Sequence, residues 1–274
     1  MAVFQCSYRS RVQGRSVFFN VIIPEQCEDD IPVVYMLHGT NATAYDWIKA
    51  LSIERYATAR SIAVVMPSCD NSYFCDMKYG YRQYTYLMEE LIPYCRKMFR
   101  LSEKREKNFV SGLSMGGYGA MRTALLNPDV FAAAAPMSGV FDIYDCWCGG
   151  SLGNSDKTIP ITVWGEDYEN VLKLPEYDLY KMVESFESSG RQKPWIYQCC
   201  GTEDFLNADN NKFREFMSGR GFRYEFEQWK GAHTWDFWDE ALPKVFDFFK
   251  KYMKENGVEQ CLNGRFPSSV VKVD

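Results

Sequence analysis

"FVSGLSMGGYGAM", residues 109–121, decides the reading of this chain. Extended to 107–126, an apolar run (KNFVSGL) ends in Gly112-Leu113-Ser114-Met115-Gly116 and passes directly into a helical pattern that stops before Asn127-Pro128. Gly-x-Ser-x-Gly alone is a weak signal, because short strings of common residues recur by chance. Between a strand and a helix it is much stronger: a sharp turn there needs small neighbours, and glycines at 112 and 116 let two backbone segments approach without Cβ clashes. The serine of such a turn stands strained and exposed at the end of its strand.

The same rhythm continues on both sides. PVVYMLHG (32–39), SIAVVMPS (61–68), FAAAAPMSG (131–139) and KPWIYQCCG (193–201) are apolar runs of the kind found in strands buried on both faces. RSVFFNVII (15–23) alternates like one strand of a half-exposed hairpin, and RYEFEQWKG (223–231) is the last strand. Helical spacing occupies 45–60, 81–99 with Pro93 as an expected kink, 178–188, 207–219 and 235–253. Strands alternating with helices predict a mostly parallel central sheet with helices on both faces, in one domain spanning 1–274. Residues 140–177 lack a period and are rich in Gly, Trp and polar residues, which predicts a small lid-like insertion.

Composition narrows the function classes. Aromatic residues make up 16% of the chain, enough to line a pocket as well as fill a core. The net charge is −5 and the densest basic run is only SEKREK (102–107), so nucleic acid is not an expected partner. No window approaches 18 apolar residues, so no membrane span is expected, and MAVFQCSYRSRVQG at the N-terminus has no apolar signal core. A cytoplasmic location with free thiols is the resulting expectation for the ten cysteines. They form no C-x-x-C pair and neither histidine adjoins one, so no metal site is expected.

A serine hydroxyl is a poor nucleophile at neutral pH and needs a base within hydrogen-bond reach. The chain has two histidines. His38 ends an early strand, whereas His233 follows the last one and satisfies the chain order serine, acid, histidine. The acid should lie on a loop between them, and GTEDF (201–205) delivers Glu203 and Asp204 together. Asp204 is the choice and Glu203 the alternative, because periodicity does not say which carboxylate turns inward; Asp167, Asp178 and Asp209 are expected to be solvated. Two backbone N–H groups should receive the oxyanion, from Met115 and from Thr40, with Gly39 as alternative to Thr40. His38 would then orient its loop without transferring a proton.

Together these residues resemble the α/β-hydrolase superfamily and, within it, the esterase D and tributyrin-esterase-like group. The resemblance runs over most of the chain and rests on YMLHGTNATAYDW, NSYFCDMKYGYRQYTYLMEELIPYC, LSEKREKNFVSGLSMGGYGAMRTAL, GTEDFL and GAHTWDFWDEAL. It implies an α/β-hydrolase fold and a serine hydrolase that cleaves carboxylic esters with Ser114, Asp204 and His233, without metal or organic cofactor. Relatives of the group include short-chain acyl, feruloyl and acetylxylan esterases, S-formylglutathione hydrolases and mycolyltransferases. The segment 140–177 and the tail NGVEQCLNGRFPSSVVKVD match no motif of the group. Tyr144, Trp147 and Trp164 in that segment are candidates to wall the acyl group, with packing of the lid as the equal alternative.

The expected activity is hydrolysis of short-chain acyl or hydroxycinnamoyl (feruloyl) esters, small or polysaccharide-linked. An acyltransferase or thioesterase on the same triad is the alternative, and a non-catalytic carbohydrate-binding protein of the same fold is the third. A homo-oligomer is compatible with the sequence.

Overall fold

The computed structural model describes residues 2–258, apart from 26, 28, 150–155 and 188. Eight strands form a single sheet in the order β1-β2-β4-β3-β5-β6-β7-β8. They are β1 (Ala2–Arg9), β2 (Ser16–Ile23), β3 (Val33–Leu37), β4 (Ala63–Pro67), β5 (Asn108–Leu113), β6 (Ala133–Met137), β7 (Trp195–Gly201) and β8 (Tyr224–Trp229). From β4 across to β8 every pairing is parallel, while β1–β2 and β2–β4 are antiparallel. This is the mostly parallel α/β-hydrolase sheet that the alternating pattern predicts. The hairpin partner of 15–23 is β1, whose side chains lie mostly toward solvent and therefore carry little apolar periodicity.

Ten helices cover the two faces: α1 (Ala44–Ala50), α2 (Ile53–Arg60), α3 (Gln83–Thr85), α4 (Ile92–Phe99), α5 (Met115–Leu126), α6 (Thr158–Trp164), α7 (Tyr168–Val171), α8 (Leu179–Glu187), α9 (Asn207–Met217) and α10 (Trp235–Glu255). The period-2 alternation of the strands sorts the core between them. Val33, Tyr35 and Leu37 of β3 pack with α4, α5, α8 and α9, whereas Val34 and Met36 pack with α1, α2 and α10.

Three segments depart from the expected elements, each for a local reason. The single helix expected at 45–60 is broken at Leu51, which is extended (φ −127°, ψ 154°). A tertiary bond re-starts the chain there, with Ser52 N–H donating to Asp239 of α10 at 2.7 Å. Pro93 does not produce a sharp break. The turn before it, Tyr86–Leu91, widens to a π-helix, and Ile92 N–H reaches back to Leu87 O. The wider turn absorbs the donor that proline lacks.

The insertion at 140–177 is the third departure. Its described residues form a π turn (Asp145–Gly149), α6 and α7. They pack into the main core through residues such as Val140, Phe141, Trp147 and Leu172, so the described part of this segment forms a wall of the core rather than a loose flap. Residues 150–155, and all of the tail beyond 258, lie outside the described residues. No helix among the described residues is long and apolar enough to cross a membrane.

Candidate active site

Ser114 follows β5 at φ 55°, ψ −120°, a conformation that side chains other than glycine adopt only under strain. Close packing enforces it. A Cβ on Gly116 would stand 1.9 Å from Leu37 O, and one on Gly112 would stand 2.3 Å from Gly116 O. The first turn of α5 therefore lies directly on β3, and only glycine lets it. Ser114 N–H donates to Met137 O (3.0 Å), which hooks the turn onto β6. The serine is half-buried while its neighbours Leu113 and Met115 are buried.

Met115 opens α5, so its N–H has no partner within the helix. Neither Met115 N–H nor Thr40 N–H donates to a protein acceptor among the described hydrogen bonds. Thr40 belongs to the loop after β3, next to Gly39, where a Cβ would come 3.4 Å from Ser114 Cβ. That loop is fixed by the neighbouring segment 69–71. Asn41 N–H donates to Asn71 Oδ1 and Asn71 Nδ2 donates to Asn41 Oδ1, both at 2.7 Å. His38, fully buried, accepts the Cys69 N–H at Nε2 (2.9 Å). Its Nδ1 must then carry the proton, donating to Gly39 O at 2.8 Å. Burial pushes the imidazole pKa down, which keeps this ring neutral.

Asp204 and His233 meet beyond β7 and β8. Glu203 N–H donates to Gly231 O (2.8 Å) and Thr202 N–H to Trp229 O (2.9 Å), which sews the two turns together. His233 Nδ1 lies 3.0 and 2.9 Å from the two carboxylate oxygens of Asp204. Asp204 Oδ1 also accepts the Leu206 N–H at 2.8 Å, so the carboxylate is aimed from behind. Its side chain is 0% exposed. Glu203 points to solvent, which resolves by geometry what the sequence left open. The imidazole contacts two rings: Phe205 at 4.4 Å, and Trp238 edge-on at 4.9 Å.

Trp147 and Trp164 come together around a residue the sequence reading passed over. Tyr73 is buried at φ 53°, followed by Phe74 at φ 54°. Two consecutive left-handed residues with bulky side chains mark a strained segment, and neither is a residue type that signals it. The Tyr73 ring touches Tyr118, Trp147 and Trp164 at 5.7, 5.8 and 5.4 Å. Phe74 packs against His38 at 5.5 Å. Tyr144 is set apart from this group, half-buried with the Lys173 ammonium over its ring at 4.8 Å.

Asp209 corrects an expectation. It is held in a protein environment rather than solvated, because it accepts the N–H groups of Phe141 (2.7 Å) and Asp142 (3.1 Å) and so fixes the start of the insertion. Asp167 is exposed as expected. Burial pushes the Asp209 carboxyl up to about 6, against the pull of the two amide donors. The folded protein thus retains a proton that the unfolded chain releases near pH 4. The stabilisation this gives is full below pH 4 and is lost as pH rises through about 6. Asp209→Asn should remove that dependence. Its Tm relative to wild type is expected to rise between pH 4 and pH 7, by the equivalent of about 1–3 kcal/mol, as read by thermal scans at both pH values. A constant Tm difference across that range would refute the assignment.

Residues 10–249 match the family model described as "Putative esterase". The chain belongs to this esterase family. An acetyl esterase of Caldicellulosiruptor saccharolyticus is 26% identical over 264 residues, spanning 92% of this chain and 99% of that protein. Among solved structures, the fluorophosphonate-binding serine hydrolase F (FphF) of Staphylococcus aureus, substrate bound, superposes with a TM-score of 0.83 at 30% identity, covering 90% of this chain and 98% of its own. The S-formylglutathione hydrolase FrmB of Staphylococcus aureus, an apoenzyme, gives 0.76 at 30% identity and the same coverage. The esterase is therefore a carboxylic ester hydrolase on an α/β-hydrolase fold.

Proposed function

We propose that the esterase hydrolyses short-chain acyl esters through Ser114, His233 and Asp204. The observation that carries this reading is the Asp204–His233 pair, 2.9 Å apart, on turns that follow β7 and β8, in the same sheet whose β5 ends in the strained serine. All three follow parallel strands at their C-terminal ends, where open α/β sheets bind ligands. His233 Nε2 takes the Ser114 proton as Oγ bonds to the ester carbon, and the carbonyl electron pair moves onto oxygen. The N–H groups of Met115 and Thr40 receive that oxyanion. As the tetrahedral species collapses, the ester C–O bond breaks and His233 returns the proton to the departing alcohol. Water then repeats the sequence on the acyl-enzyme. Asp204 holds the imidazole in the tautomer with Nδ1 protonated and stabilises the imidazolium that forms.

The crowding around Tyr73 supports the choice of a short acyl chain. Its ring and those of Tyr118, Trp147 and Trp164 are already in van der Waals contact, so a hydroxycinnamoyl ring would have to push them apart. Likeness to the acetyl esterase supports the same choice. Likeness to FrmB at 30% identity favours one second reading, a thioesterase acting on a thioester of equally small acyl group. The buried thiols of Cys69, Cys75, Cys95, Cys146, Cys199 and Cys200 suit a reducing, cytoplasmic compartment.

The test is a panel of p-nitrophenyl acetate, p-nitrophenyl butyrate, methyl ferulate and S-formylglutathione. kcat/KM for the acetate is expected to exceed that for methyl ferulate by at least about 100-fold, and the reverse order would overturn the short-acyl assignment. A dominant S-formylglutathione rate would select the thioesterase. In the same assay Asp204→Asn should lower kcat by about 10,000-fold, while Glu203→Gln should stay within about twofold of wild type. Equal effects of the two substitutions would remove Asp204 from its role.

A further inference from the structure

Phe205 sits where burial gives it no return. It follows Asp204 directly, yet its side chain is 62% exposed, so the core does not hold it. Its aromatic neighbour is the His233 imidazole, with centroids 4.4 Å apart and planes inclined by 46°. Trp238 packs against the same imidazole at 4.9 Å and 85°, and its own Nε1–H donates to Ser138 Oγ at 3.3 Å. The imidazole therefore contacts both rings while its Nδ1 faces Asp204. Trp238 belongs to the core through α10. Phe205 stands at the surface, and what it covers is the ring that would carry the proton.

We propose that Phe205 is a positioning residue for His233, holding the imidazole in line with Asp204 and stabilising the imidazolium through the π face of its ring. The inference rests on the triad reading above. The positive charge exists only between attack of Ser114 Oγ on the carbonyl and return of the proton to the leaving alcohol. A cation within about 6 Å of an aromatic ring is attracted by its quadrupole, and the neutral imidazole gains much less. The contribution therefore falls on the transition state and not on the bound ester, so it should act on kcat and leave KM alone. Covering the ring also keeps water from the Asp204–His233 hydrogen bond, which strengthens their attraction as the charge develops.

The experiment compares Phe205→Leu, Phe205→Ala, Phe205→Tyr and Phe205→Trp with wild type on p-nitrophenyl acetate, with thermal unfolding of each. Leucine keeps apolar bulk and loses the π face, whereas tyrosine and tryptophan keep both. Phe205→Leu is expected to lower kcat about tenfold with KM within about twofold, and Phe205→Ala to lower it further. Phe205→Tyr and Phe205→Trp should recover kcat to within about threefold of wild type. Tm should be nearly unchanged throughout, because the side chain is exposed.

Full kcat in Phe205→Leu, equal losses in Leu and Tyr, or a loss expressed in KM would overturn the proposal. A fluorophosphonate probe separates this outcome from failure of the triad reading. Wild-type labelling that is lost in Ser114→Ala, alongside an unimpaired Phe205→Leu, sinks the role of Phe205 alone. Labelling that persists in Ser114→Ala sinks the triad reading with it.

Discussion

Ser114→Ala is expected to lower ester turnover by about 100,000-fold or more while the protein remains folded. The expected loss is that large because, in the proposed mechanism, Ser114, His233 and Asp204 act as a unit. Without the Oγ no acyl-enzyme forms, and His233 has no proton to accept. What remains is the catalysis that oxyanion donors and binding give to direct attack by water. The same position carries a second expectation of opposite sign. At φ 55° and ψ −120° any side chain is strained, and glycine is not. Ser114→Gly should therefore be equally inactive and yet more stable than Ser114→Ala, by about 1 kcal/mol or 2–4 °C in Tm. Assay of p-nitrophenyl acetate with thermal scans of the three proteins checks both. Retained turnover in Ser114→Ala would remove the serine from the mechanism, and equal Tm values for the two variants would show that the turn is not strained.

Gly116→Ala should produce the largest loss of stability from the smallest change. Its Cβ would stand 1.9 Å from Leu37 O, 2.5 Å from Leu37 C and 2.7 Å from His38 O. All three atoms are backbone, on or just beyond a strand in the middle of the sheet, where β3 is paired to β4 on one side and β5 on the other. A side chain could turn away from such a contact; this backbone can move only by breaking its ladder. The expected cost exceeds about 4 kcal/mol, seen as a Tm lowered by about 10 °C or more, or as failure to fold. Any folded fraction should also be poorly active, since the displaced helix carries Met115 and the displaced loop carries Thr40, the two proposed oxyanion donors. A Tm within about 2 °C of wild type would show that α5 does not lie on β3 as described.

Much of this molecule was legible before its structure because its signals are local. The apolar runs at 32–39, 61–68, 131–139 and 193–201 each contain a buried strand. The helix expected at 115–126 has those same bounds. The departures came where a distant contact overrode a local pattern. Asp239 re-starts the chain at Ser52, and a π turn takes up Pro93. Residues 140–177 had no period because their short helices bury scattered aromatic rings instead of one continuous face.

The candidate site divides along the same line. By itself the sequence determined the residue types and the order of the strands: one serine in a glycine-lined turn, one histidine after the last strand, and a Glu-Asp pair after the strand before it. Those are properties of chain position, and strand-helix alternation carries them to one edge of a parallel sheet. Which carboxylate faces the imidazole was decided only in three dimensions, where backbone bonds from Thr202 and Glu203 bring two turns together and leave Asp204 inside and Glu203 in water. Tertiary packing likewise placed Phe205 on His233, Tyr73 among the tryptophans and Asp209 under the insertion. Direction and burial of a side chain depend on residues far away in sequence, so neither composition nor spacing records them.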